Sequence, residues 1–275
     1  MQTVLDIFNS AFVISLAGAA LGAFAGAYGG QRIVERGKLR GELLQEIRNT
    51  NAATMLAFTI CNAAIGVKGQ HVKNLTENFE RDRTAAIAFL AKTKEGKRRP
   101  DEIFEFRADF RTLPSLDGPI GLLQWQVYDK ISITGRPLAA VSVLATTIAD
   151  LNSIIEHRNR LIASYRATSA ETSTAAIMPL YFGLPLPGGH LDETYPDLMA
   201  AIRSKTDDAI FFSKLVGLDL FTHATNTRDQ FKKRFGQRQT IAVSKPDFSV
   251  VEKGGLMPDE AEYADWTKAF VPSVS

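Results

Sequence analysis

Hydrophobic and polar positions change register several times along the chain, and each change predicts an element. Between Asp6 and Arg32 no charge occurs for 25 residues, and Phe12, Val13, Ile14, Leu16, Leu21 and Phe24 lie within that stretch. A helix of this length, rising about 1.5 Å per residue, covers the roughly 30 Å hydrocarbon core of a bilayer. Its Ala and Gly content, with Asn9, Ser10 and Ser15, makes it a weakly hydrophobic span. Residues 49 to 67 form a second uncharged run that contains Met55, Leu56, Phe58, Ile60 and Ile65. Asn51, Thr54, Thr59 and Asn62 interrupt it, so it predicts a buried soluble helix rather than a return span.

Residues 31 to 92 read as a long helix or helical hairpin, with Gly66 and Gly69 as the expected bend. A basic linker follows, from Lys92 through Lys94, Lys97, Arg98 and Arg99 to Pro100, and is read as a solvated loop. From Ile103 to Arg111 the side chains alternate, Phe104, Phe106, Ala108 and Phe110 against Glu105, Arg107, Asp109 and Arg111. That period of two predicts a half-buried strand, whose partner in a small two-stranded element would be Thr240 to Val243. Residues 120 to 131 predict a short helix, and Arg136-Pro137 opens a long amphipathic one reaching about Thr168, since proline suits a first helical turn. Prolines 179, 185, 187 and 196 with Gly183, Gly188 and Gly189 predict an irregular loop over Met178 to Pro196. The next helix is expected to end near Phe235 in the basic group Lys232, Lys233 and Arg234. The remainder, to Ser275, is expected to hold a short helix from Pro258 to Phe270.

Two patterns suggest assembly. Gly18, Gly22, Gly26 and Gly30 recur every four residues, so they form a ridge along one helix face that another backbone can approach closely. Leu138, Val141, Ala145, Ile148, Asn152, Ile155, Asn159 and Ile162 alternate three and four apart, a pairing seam in which Asn152 and Asn159, either side of Ile155, would fix register. Leu144, Leu151, Ile154 and Leu161 add a second apolar stripe, which favours an ordinary bundle helix over a two-stranded coil.

Charge settles orientation more than chemistry. The chain holds 32 Lys+Arg against 30 Asp+Glu, so no global field points to nucleic acid. Arg32, Arg36, Lys38, Arg40 and Arg48 crowd the far end of the first apolar stretch, which places that end in the cytoplasm and the N terminus outside. Ala25, Gly26 and Ala27 resemble a processing site, but a secretory leader should begin with positive charge and this one carries Asp6. A single cysteine, Cys61, excludes a disulfide framework within the chain and any multi-cysteine metal site.

Phosphate-loop, dinucleotide, zinc-protease and serine-hydrolase signatures are missing from the sequence. Glu156, His157, Arg158 and Arg160 form its densest polar group, suited to phosphate binding or acid-base work but explained equally well as a solvated helix face, with Glu156, His157 and Arg160 the site candidates. His190, Asp192 and Glu193 carry acid-base groups, although Thr194 with Asp197 reads first as helix capping.

The expected protein is therefore mainly α-helical, with a transmembrane anchor at 1–31, a juxtamembrane helical region at 32–99, a helical bundle at 100–236 and a tail at 237–275. Its expected partners are the lipid bilayer, further copies of itself and a protein that docks on the cytoplasmic bundle. No cofactor, metal or catalytic residue is assigned. A scaffold, sensor or partner-binding role fits best, ahead of a pore-forming effector and of a membrane-tethered enzyme.

Overall fold

The computed structural model describes residues 11–97, 99, 101–171, 174–186, 188–237 and 240–270. The described residues are mainly helical and contain no strand. In chain order the longer helices are α1 (Ala11–Val67), continued by a π-helical turn (Lys68–Val72), then α2 (Lys73–Lys94), α3 (Ile120–Asp129), α4 (Arg136–Glu171), α5 (Thr174–Phe182) and α6 (Thr194–Phe235). The short helices α7 (Ser249–Lys253) and α8 (Ala264–Lys268), with a 3-10 turn at Glu260–Tyr263, complete the chain.

Two units emerge, one comprising residues 1–48 and 224–243, the other 49–223 and 244–275. In the first, Ile47, Ala224 and Phe231 are fully buried, and the rings of Phe231 and Phe235 lie 5.2 Å apart. Arg36 donates from Nη2 to the carbonyl of Arg234 at 3.3 Å and sits 5.6 Å from the Phe235 ring centroid. A cation thus meets the terminal carbonyls of α6, where the helix dipole is negative. The chain leaves this helix through Gly236, whose φ of +85° only glycine adopts without strain.

The larger unit holds the main core. The uncharged stretch of α1 lies inside it: Ala53, Ala57, Ile60, Cys61 and Ala64, spaced as one helical face, are fully buried. Thr50 and Thr54 are buried too, and Thr54 donates to the Thr50 carbonyl at 2.8 Å, which lets a hydroxyl enter the core without an outside partner. Gly217 of α6 approaches Ala57 closely enough that an added Cβ would lie 3.8 Å from the alanine methyl. Small residues here serve helix packing.

The expected bend at Gly66 and Gly69 is a π-helical turn within continuous helix, in which the Lys73 amide donates to the Lys68 carbonyl five residues back. Gly69 lies close to the tail, since a Cβ there would meet a methyl of Leu256 at 3.2 Å. The expected loop over 178–196 is narrower, because α5 continues through Pro179 to Phe182. Ile177, Tyr181 and Phe182 are buried, and their packing outweighs the hydrogen bond that a proline cannot make. The following helix is capped by Asp192, which accepts from the Thr194 amide at 2.9 Å, a bond that holds its carboxyl below the usual range.

The tail is tied to the same unit. Tyr263 stacks on Phe211 with ring centroids 3.8 Å apart and donates to Asp208 at 3.0 Å. Lys214 reaches Glu252 at 3.0 Å and Glu260 at 2.9 Å.

Candidate functional site

The alternating segment at 103–111 is half-buried as its pattern predicts, with Phe106 against Tyr181 and Phe182 at 5.3 and 5.0 Å between ring centroids. It does not pair with a strand. Continuing to residue 116, it forms a strap whose main chain is gripped by side chains of α4. The Asn159 amide donates from Nδ2 to the Leu113 carbonyl at 2.8 Å, and its Oδ1 accepts from the Leu113 amide at 2.9 Å. One helical repeat earlier, Asn152 does the same to Leu116, at 3.0 and 2.7 Å. An asparagine side chain has the donor and acceptor of a peptide group, so each one replaces the neighbouring strand that the backbone otherwise needs. The residues expected to set helix pairing register therefore hold the strap, while Ile155 between them is buried in the core.

Between the two asparagines lies Arg158, which is fully buried. Its Nη1 donates to the Arg111 carbonyl at 2.8 Å, and its Nη2 to the Asp109 carbonyl at 3.4 Å and to the Tyr195 hydroxyl at 3.2 Å. No carboxylate pairs with it among the described residues, and its Nε has no partner. A buried cation is expensive to desolvate, so the strap's carbonyl dipoles take the place of a counter-ion.

Around it gather Phe79, Tyr165, Tyr181, Phe182 and Tyr195, all buried, with Tyr181 stacked on Tyr195 at 4.4 Å. Burial pushes the hydroxyls of Tyr165, Tyr181 and Tyr195 up, so they stay protonated and serve as hydrogen-bonding groups. Tyr181 uses its oxygen to accept the Asp109 amide at 3.2 Å.

Of the polar group read from the sequence, Glu156, His157 and Arg160 face solvent. Arg160 meets Glu156 at 2.9 Å with both side chains about two-thirds exposed, an ordinary surface pair. Arg158 stands in the same stretch but turns the other way. Its register was available: Leu151, Ile155, Arg158 and Ile162 fall at spacings of four, three and four, one buried stripe. Among the described residues no three His, Cys, Asp or Glu side chains could hold a metal ion.

The N-terminal helix offers a different kind of surface. Gly22, Gly26 and Gly30 have nothing within 4 Å of where a Cβ would stand, and Phe24, Tyr28, Ile33 and Val34 on the same helix are exposed by 81, 56, 75 and 69%. The side-chain surroundings of Gly18 lie outside the described residues. By length and composition two helices reach what a membrane span requires: Gly22–Lys94, with a window of mean hydropathy 1.3, and Arg136–Ala170, at 1.7. The second is the helix that carries the strap clamp and much of the core. Comparison with protein-family models, curated proteins and solved structures finds no match.

Proposed function

We propose that this protein is a membrane-tethered, self-associating helical protein, held by its N-terminal helix with the N terminus outside, whose cytoplasmic body acts as a scaffold, sensor or partner-binding platform. The observation that supports it is the exposed helix from Gly22 to Val34, where a row of bare glycines and large exposed apolar side chains, Phe24 and Tyr28 on the side away from the glycines, lie on one helix. Each glycine in a helix interior costs about 1 kcal/mol in water relative to alanine. Lipid around the apolar side chains and a second backbone against the glycines would offset that cost. At the end of the apolar stretch Arg32 lies 4.7 Å from the Tyr28 ring centroid, the amphipathic pairing suited to a headgroup region, ahead of Arg36, Lys38 and Arg40.

Single cysteines placed at positions 22, 26 and 30 should trap dimers or larger species in native membranes, and a cysteine at position 24 should not. The native Cys61 can stay, because it is fully buried and burial pushes its thiol up to about 11, which removes the reactive thiolate. Monomer alone at all three positions counts against self-association, and release of the chain by an alkaline wash counts against the tether. Trapped dye escaping from vesicles that carry the protein would replace the scaffold reading with a pore.

A further inference from the structure

Two adjoining cavities of about 460 and 510 Å³ flank the strap and share Leu75, Asp109, Arg111 and Arg166. Together they form one cleft between the strap and the helix that runs through the π-helical turn. Four arginines enter it, Arg81, Arg107, Arg111 and Arg166, against two aspartates, Asp82 and Asp109, leaving a net charge of +2.

The aspartates are already engaged. Arg81 holds Asp82 at 3.0 Å and Arg111 holds Asp109 at 2.5 Å. Arg166 gives one nitrogen to the Phe110 carbonyl, and Arg107 makes no hydrogen bond or ion pair among the described residues. Behind the strap stands the buried Arg158, which forms no ion pair among the described residues and whose charge acts on Asp109 from that side. Further polar groups complete the lining: the Gln70 amide and His71 imidazole from the π-helical turn, and the Thr112 hydroxyl from the strap. A π-helical turn interrupts the regular ladder and re-aims the side chains it carries, a device concentrated at functional sites.

From this we infer that the cleft binds a small molecule carrying two or more phosphate groups. Guanidinium forks match phosphate oxygens in geometry and charge, and two joined cavities give two such groups separate places. Their combined size lies in the range of small-molecule sites, and the near-neutral chain offers no extended basic track for a nucleic acid. The inference is independent of how the N-terminal helix is placed.

The full chain in detergent micelles, titrated calorimetrically with inorganic pyrophosphate, should bind with a saturable isotherm that weakens as salt rises. Arg107→Gln and Arg166→Gln should each weaken it about tenfold, the scale of one charge-assisted contact, while Arg160→Gln changes nothing. Arg107 decides if Arg166→Gln loosens the strap, because Arg107 has no recorded internal bond to lose. A titration that never saturates, or an Arg107→Gln protein that binds as tightly as the parent, overturns the inference. Competition by ATP or by inositol trisphosphate supports it either way, and the stronger competitor tells a soluble nucleotide from a lipid headgroup as the source.

Discussion

Arg158→Ala is expected to remove about 3–5 kcal/mol of stability from the larger unit. The substitution strips a donor from the part-buried carbonyls of Asp109 and Arg111 and from the buried Tyr195 hydroxyl, and leaves a void beneath the strap. Each orphaned acceptor costs about 1–3 kcal/mol, partly offset because the buried charge no longer has to be desolvated. That offset gives the prediction its internal control: Arg158→Met keeps most of the volume and drops the charge, so it should lose about half as much. Arg158→Lys keeps the charge but replaces a planar fork with a single ammonium, and should be worse than methionine. Both tryptophans, Trp125 and Trp266, lie in this unit, so urea unfolding followed by their fluorescence reads it directly. An alanine variant with the parent's midpoint and slope would remove Arg158 from the account of the fold.

Asn152→Leu and Asn159→Leu supply the second large effect, and its sign separates two uses of the same residues. In a helix-pairing seam, leucine at an asparagine position strengthens association. In the clamp it strands one amide and one carbonyl of the strap, at Leu116 or Leu113, beside side chains that are themselves buried. The expected loss is about 2–3 kcal/mol for each substitution. Trypsin should then cut faster after Arg107 and Arg111, since a released strap presents both to the protease. Leucine variants that unfold later than the parent and resist cleavage would restore the seam.

Much of the helical layout was legible because it rests on periodicity. The start of α4 at Arg136 and the end of α6 at Phe235 follow from a proline in the first turn and from a basic last turn before glycine. Alternation at 103–111 correctly marks which side chains turn inward, yet it is silent about what accepts the main chain. A strand was the natural partner to expect, and side-chain amides 36 and 46 residues downstream took its place. Pro179 was read as a helix breaker because propensity is local, whereas the burial of Ile177, Tyr181 and Phe182 that holds α5 together is not. In the 156–160 stretch composition grouped Arg158 with Glu156, His157 and Arg160 as one solvated face, whereas the phase of the neighbouring apolar residues places Arg158 on the buried side.

The clamp touches only peptide groups, and peptide groups are the same whatever residue bears them. Outward positions of the strap, Arg107 and Arg111 among them, are thereby uncoupled from the grip at Asn152 and Asn159. Descendants of this chain would have latitude to rewrite the rim of the cleft, exchanging one ligand preference for another, while the frame beneath keeps its shape. Divergence should concentrate at the exposed strap positions, such as Arg107 and Arg111, and spare the two asparagines.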